Sequence, residues 1–308
     1  MRPRINLSKG RETLASFLVT GGSGFLGAHF ARFALQQGHA VTVFDMEPPK
    51  YAREGDRIRF AQGDICDTES LRPWVERADF VIHLAGILGT AETVVNPHPS
   101  IDVNLAAAVR LFDLLRVSNK PAVATVNGNY QWYNTYAITK EAAGRFAIMY
   151  NKEFHTKIAV LRAFNAYGEW QKDRPVRKVV PEFVRRALHN EPVEVFGSGQ
   201  QQFDLVYAGD VAQALYYSVA KDHTAYDHVL EVGSGRPTTP LRLAHQIIDL
   251  TESKSKIVHL PMRPGEPEHS DLCANLDTLE PLGYRPATPE ADGLPVTIEW
   301  YRQYFGQK

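Results

Sequence analysis

The chain has 308 residues, 44% of them hydrophobic, and a formal net charge of −1. This near-neutral balance argues against a nucleic-acid partner, and no apolar run reaches the roughly 18 residues of a membrane span, so no membrane partner is expected. Cys66 and Cys273 lack metal-ligand spacing and are too few for a disulfide framework, so we expect no metal site and a cytoplasmic location. Residues 1–16 are predicted to form a polar extension without a secretory signal.

Residues 17–165 alternate short apolar runs with amphipathic helical patterns. Strands are predicted at "SFLVTGG", "AVTVFD", "IRFAQGD", "DFVIHLAG", "PAVATV" and "KIAVLRAFN". Helices are predicted at "GAHFARFALQQGH", "ESLRPWVERA" and "NLAAAVRLFDLLRVSN", and from Tyr136 toward Phe154. This alternation predicts βαβ units, and hence an α/β fold with a Rossmann-type, doubly wound parallel sheet. After Asn165 prolines become frequent and the rhythm loosens, which predicts a smaller C-terminal lobe over residues 166–308.

A glycine-rich turn joins the first strand to the first helix. Gly21, Gly24 and Gly27 in "LVTGGSGFLGAHF" permit a tight turn and let a pyrophosphate approach the backbone, where the helix N-terminus presents unpaired N–H groups. The second strand ends in Asp45, whose carboxylate can accept both ribose hydroxyls of an adenosine and would repel a 2′-phosphate. No arginine directly follows Asp45, so the pattern predicts NAD rather than NADP.

Two further strand ends carry residues suited to the same cofactor. In "QGDI", Asp64 and Ile65 follow the third strand and suit an adenine edge. In "HLAG", the fourth strand is followed by Leu84, Ala85 and Gly86, which let the cofactor lie close to the backbone. Because ligands of open α/β sheets bind at the carboxyl ends of the strands, these residues predict one extended dinucleotide site.

Tyr136 and Lys140 are four residues apart on a predicted helix, so they share one face. A free tyrosine has a pKa of about 10, and a nearby ammonium favours its phenolate. The pair therefore predicts that Tyr136 exchanges a proton with a substrate hydroxyl, while Lys140 lowers the tyrosine pKa and binds the nicotinamide ribose.

Taken together, "TGGSGFLG", "GDI", "HLAG", "DVN", "YAITK" and "LRAFNAYG" resemble the extended short-chain dehydrogenase/reductases, specifically the NAD-dependent epimerase/dehydratase family. The resemblance implies NAD held by the first lobe and a nucleotide sugar held against a substrate-binding second lobe. It assigns cofactor contacts to Phe25, Leu26, Phe164 and to Asn104 of "DVN". It also implies a homodimer, formed by a four-helix bundle of the helices near residues 104–116 and 136–150.

The same resemblance places Asn165 and Arg263 against the substrate diphosphate, although Arg263 could instead pair with Glu266 or Glu268. The family's second diphosphate-binding arginine is missing, because Phe203 occupies its apparent position in "QQQFDLVY". The cations considered as replacements are Lys172, Arg174, Arg177 and Lys178.

The residues before Tyr136 depart from the family pattern. The family's catalytic serine or threonine is assigned to Thr125, with Asn127 or Asn134 as alternatives, and only eleven positions separate Thr125 from Tyr136. The acidic pair of the sugar 4,6-dehydratases is replaced by Val126 and Asn127.

These features predict an NAD-dependent nucleotide-sugar epimerase that acts at sugar C4 through a transient keto sugar. The alternatives are a related dehydratase, decarboxylase or net oxidoreductase, or a catalytically silent NAD-binding sensor. The short segment before Tyr136 is the main support for a sensor.

Overall fold

The computed structural model describes residues 14–306. Residues 1–13 of the predicted extension therefore lie outside the described part, and the first strand begins at Ser16. The strands are β1 Ser16–Thr20, β2 Ala40–Asp45, β3 Ile58–Gln62, β4 Phe80–His83, β5 Ala122–Asn127, β6 Ile158–Ala163, β7 Asn165–Tyr167, β8 Val193–Phe196, β9 Phe203–Tyr207, β10 Val229–Val232, β11 Pro237–Thr238 and β12 Ile257–Leu260.

Helices connect most of these strands. They are α1 Phe25–Gln36, α2 Thr68–Arg77, α3 Ala91–Val95, α4 His98–Ser100, α5 Ala107–Ser118, α6 Thr135–Phe154, α7 Val179–Leu188, α8 Ala208–Ala220, α9 Pro240–Leu250 and α10 Glu290–Gly306. A π-helical stretch, Ile101–Ala106, precedes α5, and a 3₁₀ helix spans Leu276–Leu282. Over residues 14–306, no helix has both the length and the apolar character to cross a bilayer.

Seven parallel strands form the central sheet in the order β10-β6-β5-β4-β1-β2-β3. The predicted Rossmann-type, doubly wound sheet is therefore confirmed. Its strands are apolar on both faces because helices cover both. Leu18 packs with the core under α2, α5 and α6, whereas its neighbour Val19 packs with the core under α1 and α8. The strand order reverses between β1 and β4, which opens the crevice where such sheets bind ligands.

The chain after Asn165 forms a second core and also adds to the central sheet. It forms a separate core around Phe183 and Leu243, with the small sheets β11-β9-β7 and β12-β8. It also returns to the central sheet, supplying β10 as the seventh strand and α8, which packs on α1.

Asp204 organises the second lobe next to the crevice. Its carboxylate is fully buried and accepts hydrogen bonds from the backbone N–H groups of Ser234, Gly235 and Ala274, at 2.6 to 3.0 Å. One side chain thus joins β9 to two loops, and this fixes the wall that carries Phe203.

Candidate active site

A cavity of about 780 Å³ extends from the carboxyl ends of the central strands to the second lobe. Its lining contains all but one of the residues that the sequence assigns to catalysis, cofactor or substrate. They are Gly21, Gly24, Phe25, Leu26, Gly27, Asp45, Asp64, Ile65, Leu84, Ala85, Gly86, Thr125, Tyr136, Lys140, Phe164, Asn165 and Arg263.

Asn104 is the exception. Its side chain accepts a hydrogen bond from the Ile87 backbone N–H at 2.8 Å and donates one to the Ile87 carbonyl at 3.0 Å. Asn104 therefore holds the loop that follows β4 and does not line the cavity, because both ends of its amide are engaged by backbone.

The glycine turn forms a tight cradle, in which neighbouring backbone segments approach too closely for a side chain. Gly21 has φ of +70°, and a Cβ there would lie 2.5 Å from the Ala85 backbone nitrogen. A Cβ on Gly27 would lie 2.4 Å from the Gly22 carbonyl oxygen. Helix α1 starts after Gly24 without a side-chain cap and without an acidic residue in its first turn, so its N–H groups are free to bind an anion.

Backbone N–H groups hold the carboxylates of Asp45 and Asp64 in place. Asp45 accepts hydrogen bonds from the N–H of Ser23 at 3.0 Å and of Glu47 at 3.3 Å, and Asp64 accepts one from Cys66 at 2.9 Å. These bonds fix the carboxylates in the cavity wall, where Asp45 suits a ribose diol.

Helix α6 positions the tyrosine and lysine. Asn134 caps it, accepting a hydrogen bond from the Ala137 N–H at 2.9 Å, and its amide donates to the Gly265 carbonyl at 3.2 Å. The Thr93 hydroxyl accepts a further hydrogen bond from the Tyr136 N–H at 3.2 Å. Of the three candidates for the missing serine, Asn134 therefore acts as a helix cap and does not line the cavity.

Thr125 is the candidate that contacts Lys140. The lysine Nζ donates a hydrogen bond to Thr125 Oγ1 at 3.4 Å, and this hydroxyl donates to the His83 carbonyl, also at 3.4 Å. Asn127 lines the cavity as well, but its Oδ1 accepts a hydrogen bond from the Asn129 N–H at 3.1 Å and shapes the short loop.

Burial dominates the electrostatics of the pair. It lowers the pKa of Lys140 to about 8 and raises the pKa of Tyr136 to about 12. The expectation that the Lys140 ammonium favours the phenolate of Tyr136 stays a prediction, and burial of the phenol opposes that effect.

Arg162 holds the short loop before α6. It is 6% exposed and reaches from β6 to the Asn127 carbonyl at 3.2 Å, with its guanidinium 4.0 Å above the Tyr130 ring. Its other nitrogens bind Glu141 and Glu231, each at 2.8 Å. No motif in the sequence identifies this residue, although an arginine within an apolar strand is a signal for a buried ion pair.

The opposite end of the cavity is polar and charged. Arg263 is paired with Glu266 at 3.4 Å and with Glu92 at 3.8 Å. Of the two partners considered from the sequence, Glu266 and Glu268, the pairing with Glu266 is therefore present. Lys178 lies in the same group: burial lowers its pKa, and among the charges that act on it are Glu92 and Arg263. Phe203 lines this end too, at the position where the family carries an arginine.

The other three cations considered as replacements for the missing arginine are either paired with a glutamate or exposed. Arg177 lines the cavity but binds Glu194 at 3.0 Å, and Arg174 binds Glu182 at 2.8 Å. Lys172 is exposed and outside the lining. Within residues 14–306, no group of three or more His, Cys, Asp or Glu could hold a metal ion.

A family model described as "NAD dependent epimerase/dehydratase family" matches residues 17–233. The chain belongs to this family. It is 28% identical to the UDP-N-acetyl-alpha-D-glucosaminuronate decarboxylase of Bacillus cytotoxicus, over 93% of this chain and 97% of the relative. It is 27% identical to the dTDP-glucose 4,6-dehydratase of Streptomyces niveus, over 92% of each chain. The solved UDP-glucose 4-epimerase of Thermotoga maritima with UDP-glucose superimposes with a TM-score of 0.87 at 26% identity, covering 94% of this chain and 99% of that structure.

The cofactor of this epimerase/dehydratase chain is NAD, and the residues present fit it. The glycine cradle and the uncapped start of α1 suit a pyrophosphate, and the fixed carboxylate of Asp45 suits a ribose diol without a 2′-phosphate. Tyr136 and Lys140 of α6 line the same cavity, and Lys140 contacts Thr125 of β5.

Proposed function

We propose that the protein is a nucleotide-sugar epimerase that inverts a hydroxyl-bearing carbon, C4, of the sugar. NAD, when bound, supplies a hydride acceptor and donor. Tyr136 takes the proton of the sugar hydroxyl and returns it after the sugar has turned in the cavity. Lys140 stabilises the phenolate, and Thr125 binds the reacting oxygen with a hydroxyl that can both donate and accept.

One observation carries this choice: within residues 14–306, the carboxylates that line the cavity are either at the adenosine end or engaged in ion pairs. Asp45 and Asp64 belong to the adenosine end. Glu182 and Glu194 are bound by arginines, and Glu266 pairs with Arg263. Elimination of water needs a positioned acid and base in addition to the tyrosine, whereas in epimerisation at C4 the tyrosine is the only acid and base required.

The residue after Thr125 supports the same conclusion. Val126, which replaces the first acid of the dehydratase pair, is 4% exposed and packs in the core below α6. Asn127 replaces the second acid and uses its carbonyl and Oδ1 to hold Arg162 and the loop. Neither position offers a group that could protonate a leaving hydroxyl.

Arg263 and Lys178 support a nucleoside diphosphate sugar as the substrate. Two cations at one end of a partly closed cavity suit a diphosphate, and guanidinium binds phosphate through two parallel hydrogen bonds. The solved relative from Thermotoga maritima contains UDP-glucose, which supports a UDP-sugar as the first compound to test.

The test is incubation of the purified protein with a panel of UDP- and dTDP-sugars, followed by NMR, with and without added NAD. We expect interconversion of two C4 epimers without accumulation of NADH, and a loss of at least about 100-fold in kcat for Tyr136→Phe. Turnover that survives Tyr136→Phe, or a protein with no activity on any sugar, would contradict the proposal, and the second result would favour the sensor.

A decarboxylase is the second candidate, because a relative of that name is 28% identical over 93% of the chain. A UDP-uronic acid in the same panel separates the two activities: a decarboxylase releases carbon dioxide and forms a pentose, whereas an epimerase keeps the carboxylate. Net release of NADH would instead identify an oxidoreductase.

A homodimer through α5 and α6 is part of the proposal, and cytoplasmic location remains a prediction. Ile138, Phe146 and Met149 are 57%, 39% and 37% exposed and lie on one face of α6, which supports a helix-helix contact with a second copy. Light scattering should give twice the monomer mass, and Phe146→Asp should return the protein to the monomer.

A further inference from the structure

His83 is a buried histidine with one unused nitrogen. It ends β4 and is 2% exposed. Its Nδ1 lies 2.8 Å from the hydroxyl of Thr20, which is fully buried. Its Nε2 is also buried and has no hydrogen-bond partner among the described residues. Buried polar atoms without a partner are costly, so each one in a native protein needs an explanation.

The sheet places the imidazole on the same side as Lys140. Side chains alternate along a strand, and Thr20 and His83 are paired in register. Leu18 and Val81, each two residues earlier on the same strands, pack in the core under α5 and α6. Thr20 and His83 therefore point toward the side that carries α6, and the Lys140 charge acts on the imidazole.

Lys140 needs acceptors that the described residues provide only sparsely. Its ammonium has three N–H donors and the residue is 4% exposed, yet its one hydrogen bond among these residues goes to Thr125 at 3.4 Å. Thr125 uses one of the three donors and the nicotinamide ribose is assigned a second, so one N–H is left for a further acceptor.

We propose that His83 is a positioning residue for Lys140: neutral, with its proton on Nδ1 toward Thr20, it holds the unpaired Nε2 lone pair on the side of the sheet that carries Lys140, as a further acceptor that the ammonium can take up and that keeps Lys140 protonated. The ammonium itself selects this tautomer, since an N–H at Nε2 would be repelled. This inference rests on the role of Lys140 in the proposed function and adds a residue to it.

The charges around His83 agree with this role. Burial, and then the Lys140 charge, lower the pKa of His83 to about 3, so the imidazole is neutral near pH 7. β1 and β5 present Thr20 and Ala124 beside it, which do not titrate. Among the described residues, α6 contributes Lys140, and no carboxylate affects the pKa of His83 or of Lys140.

The test is an NMR titration of Lys140 in the full-length protein labelled with [6-¹³C]lysine, with the signal assigned by its loss in Lys140→Arg. Four proteins are compared: the native chain, His83→Gln, His83→Asn and His83→Leu. Glutamine places an amide at the position of Nε2, whereas asparagine reaches only the position of Nδ1. This titration needs no turnover, so it stays informative even if the epimerase proposal fails.

We expect Lys140 to titrate alike in the native protein and His83→Gln, and about one pH unit lower in His83→Asn and His83→Leu. In an active preparation, the alkaline limb of kcat should move to lower pH by the same amount. An unchanged Lys140 pKa in His83→Asn, or an equal fall in His83→Gln, overturns the proposal. The Gln and Asn variants decide it even if His83→Leu does not fold, and matched thermal unfolding curves exclude a general loss of structure.

Discussion

Replacing Arg162 by methionine tests whether one buried guanidinium holds the loop in front of the catalytic helix. The substitution keeps a long apolar side chain and removes the charge. It leaves Glu141 and Glu231 without the nitrogens that lie 2.8 Å from each, and it releases the Asn127 carbonyl. Methionine cannot replace these hydrogen bonds, so Glu231, which among the described residues keeps only the hydrogen bond from the Asn275 N–H, loses its ion-pair partner while it stays largely buried.

The magnitude follows from the exposure of the partners. Removing one member of a buried ion pair costs about 3–5 kcal/mol, because the other charge stays buried. The Arg162 side chain is 7% exposed and Glu231 is 15% exposed, but Glu141 is 26% exposed and regains some water. We therefore expect a loss of about 3 kcal/mol in the free energy of unfolding, with a fall in kcat as the loop loosens.

A matched control is available in Arg285. It also lies between two carboxylates, with Asp277 at 2.7 Å and Glu280 at 3.8 Å, but its side chain is 54% exposed. Arg285→Met should cost at most about 1 kcal/mol, because exposed ion pairs contribute little. Urea unfolding of the two variants provides the comparison. If Arg162→Met costs no more than Arg285→Met, the reasoning from burial is refuted.

Three further predictions concern the cavity and its walls. Gly27→Ala should weaken NAD binding by at least about tenfold in calorimetry, because its Cβ would lie 2.4 Å from the Gly22 carbonyl, whereas Gly306→Ala meets no atom within 4 Å and should bind normally. Lys140→Met should be inactive but, at pH 7, more stable than the native protein by up to about 3 kcal/mol in unfolding free energy. Burial lowers the lysine pKa from 10.5 to about 8, so this advantage should shrink as pH rises from 8 to 10.5. Glu182→Gln should lose roughly 2 kcal/mol of unfolding free energy at pH 7. Burial alone would raise the pKa of Glu182, but its arginine partners lower it from 4.5 to about 2, so the charged carboxylate stabilises the fold. The difference from the native protein should therefore vanish as pH falls from 4.5 to 2.

Features that depend on neighbouring residues were predictable from the sequence. The six strands of residues 17–165 lie where apolar runs predict them, and the glycine turn forms the expected cradle, because strand periodicity and glycine conformation are local properties. The spacing of Tyr136 and Lys140 likewise placed both residues in the cavity, since a helix fixes the geometry over one turn.

Features that depend on residues far apart in the chain could not be predicted from the sequence. The role of Arg162 requires Glu231, which is 69 residues away, and the pairing of Arg263 with Glu92 joins segments that are far apart in the sequence. The burial of Tyr136 is a similar case: the sequence shows the nearby lysine but not the desolvation that raises the tyrosine pKa.

The seventh strand has a consequence for how the molecule is assembled. Until residue 232 has left the ribosome, β6 is an open sheet edge, and its unpaired backbone groups and the apolar surface that α8 later covers face water. The central sheet therefore cannot be completed before the chain has been synthesised as far as Val232. Exchanging the whole segment after Asn165 would remove β10 and α8 from the central sheet and its helical cover.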